Sequence, residues 1–138
     1  MQSAIQTTPA LKTKLWIGCI LTTLPVLFLL FDGVTHIMQI TPVVESFNQL
    51  GYPASLALGI GILELVCLVI YVIPSTSIIG AVLLTGYLGG AVASHLRLGD
   101  PLFSNVLFPV YIGALLWIGL YLRDNRLRAL LPGIPRRD

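Results

Sequence analysis

Charge is the first thing this sequence lacks: eight basic and six acidic residues among 138 make only 10% of the chain charged. A soluble domain carries about 25–35% charged residues on its surface, so a water-facing globule is excluded and no nucleic acid is expected as a partner. Cysteine is almost absent as well. Cys19 and Cys67 form no close-spaced redox or zinc pattern. On a helix, Cys19 lies about 220° around the axis from Asp32, so ordinary packing is expected rather than a disulfide across a core. Neither a haem-attachment motif nor a nucleotide fingerprint is present, which leaves no self-sufficient catalytic or cofactor motif. Lys12 and Lys14 precede an apolar run in secretory order. No small-x-small cleavage pattern follows Phe31, however, so the run is a span rather than a signal peptide.

Apolar residues are what the chain has, at 56%, and they fall into four long runs: residues 15–40, 54–73, 75–96 and 103–122. A transmembrane helix needs about 20 such residues to cross a hydrocarbon core about 30 Å thick. Pro53, Pro74 and Asp100-Pro101 punctuate the runs, and the short connections make consecutive helices antiparallel neighbours. The expected fold is therefore all-α: residues 1–138 form one integral membrane four-helix bundle, with a basic tail at 123–138. Between the first two spans, Thr41 is expected to cap a short amphipathic helix with Pro42 at its first position. Val43, Val44, Phe47 and Leu50 form its apolar face and Gly51 with Pro53 ends it. Such a helix should lie on the bundle as a lid.

Basic residues set the orientation. Lys12 and Lys14 precede the first span, Arg123, Arg126 and Arg128 follow the fourth, and Arg136 and Arg137 lie beyond. By the positive-inside rule both termini are cytoplasmic, and Trp16, Tyr71 and Tyr121 fall at the inner interface.

Ionisable groups inside the spans need an explanation that apolar positions do not, because a charge in lipid costs several kcal/mol unless it is paired, neutralised or wet. Asp32 and His36 are four apart and share a helix face, so the carboxylate can accept from the imidazole. At 1.5 Å per residue, Asp32 and Glu64 sit about 12 to 15 Å below the outer face, and Tyr87 and Tyr111 reach a similar depth. His36 and His95 lie nearer the outer end. Tyr87, Ala91 and His95 make one stripe on span three, and Ala57, Gly61, Glu64 and Leu68 one on span two. Asp32, His36, Glu64, Tyr87, His95 and Tyr111 thus form a candidate polar pocket open toward the outer side, with proton-exchanging groups beside Gly61 and Ala91. The alternative is a satisfied internal network that only fixes helix register. His36 and His95 on different spans have no ligand spacing, so neither a metal nor haem is expected there. Gly86, Gly90 and Ser94 form a small-residue face suited to close helix packing, and Pro25 can bend span one.

Several residues resemble the DoxX-like family of small membrane proteins. They are Asp32-Gly33 with His36 late in span one, Phe47 and Leu50-Gly51-Tyr52-Pro53 before span two, Leu58-Gly59 running to Glu64-Leu65, Pro74, and Ala93-Ser94-His95 at the end of span three. The order and spacing of these short motifs extend from about Leu15 to Tyr121. The resemblance implies a compact four-helix membrane bundle in a bacterial inner membrane. The family takes its name from a membrane subunit of a thiosulfate:quinone oxidoreductase, and other members are associated with thiol-redox and oxidative-stress complexes. It implies an accessory that holds a quinone or supports a redox partner subunit, alone or as a homo-oligomer in the lipid bilayer. A non-catalytic scaffold and a proton-linked small-solute permease stand as alternatives; against the permease, the four spans show no inverted repeat.

The topology has a direct check. Single cysteines at Gln2 and Asn48, in a background without Cys19 and Cys67, are expected to label from opposite sides of the membrane; labelling from one side would refute the four-span assignment.

Overall fold

The computed structural model describes residues 9–131, and among these every regular element is helical. Helices α1 (Pro9–Met38), α2 (Thr41–Gln49), α3 (Leu56–Val72), α4 (Ser77–Leu98), α5 (Phe108–Arg123) and α6 (Asn125–Leu130) follow in order, and a π-helical turn, Leu102–Val106, leads into α5. Helix α1, helix α4 and the run Leu102–Arg123 are long and apolar enough to cross a membrane, whereas α3 has 17 residues. That is about 25 Å of helix, at the short end of the spanning range of about 17–25 residues.

Helix α1 packs between α3 and α5, and α4 closes the ring against the same two helices. The protein is an all-α integral membrane bundle of four helices with the short α2 laid against α3. Its outer faces carry large apolar side chains such as Leu24, Leu27, Leu63, Val69 and Val82, each more than half exposed. So much exposed apolar surface marks faces that meet lipid or another protein rather than water. Inside, Leu29, Leu68, Leu84, Leu88, Leu116 and Leu120 form the core.

Several expectations change in the structure. The first helix starts at Pro9 rather than Leu15, because Lys12 and Lys14 can run their apolar stems along the span and keep the ammonium groups outside. It ends at Met38, before Gln39, whose φ of 48° lies in the left-handed region. Pro25 sits inside this helix, fully buried. Thr41 does not cap α2: it is the first helical residue, Ile40 occupies the capping position, and Pro42 supplies the fixed φ that starts the turn. Gly51, with φ of 74°, turns the chain away after α2. Tyr71 is not interfacial. It is fully buried, and its hydroxyl donates to the Leu116 carbonyl at 2.8 Å. The small-residue face of α4 does not pack on a neighbour within the chain, since a side chain added at Gly86 or Gly90 would meet nothing within 4 Å. Close approach occurs instead where Gly80 faces the backbone of Tyr71, where Gly18 and Gly119 face each other, and where Gly61 meets α1.

The expected basic tail begins with structure. Asp124 caps α6, accepting from the main-chain N–H of Arg126 at 2.8 Å, while the Arg126 guanidinium donates to Asp124, to the Ser75 carbonyl at 3.0 Å and to the Pro74 carbonyl. This clamp ties the α3–α4 turn to the end of α5. The Arg126 hydrogen bond holds the Asp124 carboxyl well below the usual carboxylate range, so the stabilisation is complete at neutral pH and is lost only as pH falls below about 4. Residues 1–8 and 132–138, with Arg136 and Arg137, lie outside the described residues.

The α1–α3 contact can be tested at two glycines. A Cβ at Gly61 would stand 2.7 Å from the His36 Cβ and 2.8 Å from the Gly33 carbonyl oxygen, whereas one at Gly59 would meet nothing within 4 Å. Gly61→Ala is expected to lower stability in detergent by about 1–3 kcal/mol, while Gly59→Ala should be neutral or slightly stabilising. Equal thermal midpoints for the two variants would contradict this packing.

Candidate functional site

Three helices bring four polar side chains together where the last turns of α1 meet the middle of α3 and α4. Helix α1 contributes Asp32 and His36, one turn apart. Helix α3 contributes Glu64, fully buried, and α4 contributes Tyr87. Glycines make the meeting possible: Gly33 and Gly61 let the α1 and α3 backbones approach so closely that an added Cβ at Gly33 would stand 3.4 Å from Oε2 of Glu64. Asp32 and Glu64 are thereby brought to one level from two helices.

The hydrogen bonds are unequal. Tyr87 donates its phenolic hydrogen to Oε2 of Glu64 at 2.9 Å. Nδ1 of His36 lies 3.6 Å from Oδ2 of Asp32 and 4.0 Å from Oε2 of Glu64, but only 2.8 Å from the Asp32 carbonyl oxygen. A carbonyl can only accept, so Nδ1 carries the hydrogen. The imidazole thus bonds to the main chain first and faces both carboxylates second, which differs from the side-chain pairing expected across one turn. Oε1 of Glu64 is buried with no hydrogen-bond partner. A buried acceptor left unpaired is costly, about 1–3 kcal/mol, and this is the least satisfied atom of the cluster.

The cluster is roofed by α2. Phe47, 5% exposed, sets its ring edge-to-face against His36 with centroids 5.5 Å apart, and Tyr52 stands beside it. Tyr52 is hydrogen-bonded to Ser94 at 3.0 Å, while Arg97 donates to the Leu50 carbonyl and lies over the Tyr52 ring. These contacts fasten the α2 segment to the end of α4. Below the roof, Asp32 keeps 35% of its side chain exposed and His36 14%. A cavity of about 390 Å³ runs along the lipid-facing side of α1 and α3, lined by Ile37, Ile62, Leu65, Val66, Val69 and Ile70. Leu65, which lines it, also packs against Gly33 beside Glu64.

Two candidate residues lie elsewhere. His95 is two turns beyond Tyr87, about 12 Å along the helix and about 80° around it, and its Nδ1 donates to Oδ2 of Asp100 at 2.6 Å. The left-handed Gly99 that ends α4 brings Asp100 back to it. Expected in one pocket with Glu64, His95 belongs instead to the turn that ends α4. Tyr111 has the expected depth but the wrong direction: α5 turns Ile112 and Leu116 inward, and Tyr111 is 46% exposed. Depth arithmetic along a helix says nothing about azimuth. Asp100 as the partner of His95 and Leu65 as the bridge to the groove went unnoticed, although an acid just past a helix-ending glycine was a legible signal for the first.

The model of the DoxX-like family matches residues 20–119, which include Asp32, His36, Glu64 and Tyr87. No curated protein and no solved structure matches the chain.

The cluster's connectivity predicts a contrast between tyrosines. Tyr87→Phe removes the only hydrogen bond to Glu64 given by another side chain among the described residues and is expected to cost about 1–3 kcal/mol of stability. Tyr111→Phe should change it by less than about 0.5 kcal/mol. Thermal unfolding of both in one detergent decides the matter, and a larger loss at Tyr111 would overturn the assignment.

Proposed function

This chain belongs to the DoxX-like family, and we propose that it is a small-molecule-binding accessory of a membrane redox system. The polar head of a quinone-like amphipath binds at Asp32, His36, Glu64 and Tyr87, and its apolar tail lies along the α1–α3 groove. The observation that carries this reading is the fully buried Glu64 with its unpartnered Oε1, one residue from Leu65 of the groove. An orphaned acceptor within a mostly apolar surround is the arrangement that fixes a small head group by one or two hydrogen bonds while apolar contacts supply affinity. Glu64 accepts from a hydroxyl of the reduced head, Tyr87 holds the other carboxylate oxygen, and Asp32 and His36 complete the polar wall.

The proposal places the protein in a bacterial inner membrane with both termini cytoplasmic, as the basic residues flanking the first and last spans suggest. The cluster then opens toward the outer side, and catalysis belongs to a partner subunit. A scaffold role is the competing reading. It is favoured by the tight glycine contact between α1 and α3, which would serve a bundle whose only task is to present its surface.

Quinone retained per chain after purification in mild detergent, followed by titration with a short-chain benzoquinone, separates the two. Glu64→Gln keeps the shape of the side chain and is expected to fold while binding at least about tenfold more weakly, a change of about 1.4 kcal/mol. Glu64→Leu should lose both binding and stability. Equal retention by the parent and both variants would leave the scaffold reading in place.

A further inference from the structure

The same three side chains carry a second consequence that goes beyond amphipath binding and does not depend on it. We infer that Asp32, His36 and Glu64 form a site for a single divalent transition-metal ion of the Zn²⁺ or Mn²⁺ type. One ligand atom from each of the three lies within 4.8 Å of the others. Donors held about 2.0–2.2 Å from a common ion stand roughly 2.8–3.6 Å apart at octahedral to tetrahedral angles. Of the separations from His36 Nδ1, 3.6 Å to Asp32 reaches the tetrahedral limit and 4.0 Å to Oε2 of Glu64 exceeds it, and with all three atoms within 4.8 Å of one another the side chains would draw in by up to about 1.2 Å around an ion.

Charge gives the chemical reason. Among the described residues, the ion pairs at Asp32 and Glu64 are both with the one imidazole of His36. One imidazole cannot balance two ionised carboxylates, even when protonated, so the cluster holds either an added proton or a cation. A divalent ion with two carboxylates and a neutral imidazole sums to zero, which is the state a hydrocarbon interior favours. One nitrogen and two carboxylate oxygens suit first-row divalent ions, since imidazole disfavours Mg²⁺ and Ca²⁺ and the absence of a thiolate disfavours Cu⁺.

The surroundings have the features of a built site. Oε1 of Glu64 is buried and unpartnered, which leaves it free to ligate while Oε2 keeps its hydrogen bond. Tyr87 donates to Oε2 of the same carboxylate, as outer hydrogen bonds do when they orient a ligand. The Phe47 ring packs edge-to-face on His36 and limits its rotation. Ligation through Nδ1 exchanges the hydrogen bond to the Asp32 carbonyl for the ion and moves the ring hydrogen to Nε2. Three protein ligands leave at least one coordination position for water, and the partly exposed Asp32 gives the route of entry.

The test uses the full chain in detergent, with Cys19 replaced by Ser to remove an exposed thiol and with chelator used to strip adventitious metal. Zn²⁺ and Mn²⁺ are titrated calorimetrically, and bound Mn²⁺ is followed by electron paramagnetic resonance. One ion per chain is expected. Asp32→Asn and Glu64→Gln should each weaken binding at least tenfold, and Tyr87→Phe by roughly tenfold through loss of the outer hydrogen bond. If Glu64→Gln fails to fold, Asp32→Asn at its partly exposed position carries the test. No saturable binding by the folded parent, undiminished binding by an Asp32→Asn/His36→Gln double variant, or loss on His95→Gln instead would each overturn the inference. Because the titration reads bound metal and the retention assay reads bound quinone, failure of the amphipath reading would leave this result unchanged.

Discussion

A carboxylate surrounded by lipid-facing helices has few ways to persist, and Glu64 has no exposed surface on which to find water. Its neighbours follow from that constraint. Tyr87 must point from α4 toward it, Asp32 and His36 must occupy the face of α1 that meets α3, and the two backbones must come close enough for short side chains to span the gap. Gly33 and Gly61 provide that closeness, and larger residues at either position would push α1 off α3. The α2 roof depends on the same contact, since Phe47 packs on the ring of His36.

The opposite end of the bundle is organised by charge in water rather than by charge in lipid. Asp124 and Arg126 satisfy each other while also bonding to the main chain of the α3–α4 turn and capping α6. Exposed ion pairs contribute little singly, but this one closes two helix connections at once. One end is thus anchored by hydrated groups with many partners, and the other holds buried groups with too few. That asymmetry is what separates a structural clamp from a place where something else can bind.

Much of this architecture was legible in the sequence, because lipid imposes simple rules. The apolar runs were long enough to mark four helices, and the rarity of ionisable residues within them made Asp32, His36 and Glu64 stand out. Their spacing and depth pointed to a common level, and Tyr87 could be added from its stripe. Direction around a helix was harder to read. Tyr111 was chosen by depth alone and lies one residue from the inward-facing Ile112, which turns it about 100° away. His95 was placed two turns along a stripe that drifts with each turn, and the tight end of α4 gave it Asp100 instead. Tyr71 looked interfacial by position. A bond to the Leu116 carbonyl, which only the packing of α3 on its neighbours brings within reach, made it a core residue. The contact of Gly80 with Tyr71, rather than Gly86 or Gly90 with a neighbour, likewise depended on which side of α4 the ring of helices would cover.

The shortness of α3 ties the cluster to the membrane as well as to the chain. Its 17 residues span about 25 Å against an average hydrocarbon thickness of about 30 Å, while its partners are longer. Hydrophobic mismatch of this kind is relieved by thinning the bilayer beside the short helix. Glu64 lies at the midpoint of α3, eight residues and about 12 Å from either end, so thinning of the bilayer would bring a headgroup layer toward the carboxylate. Lipid thickness becomes a tuning variable for the site: a thin bilayer brings water and polar solutes nearer Asp32 and Glu64, and a thick one seals them beneath acyl chains.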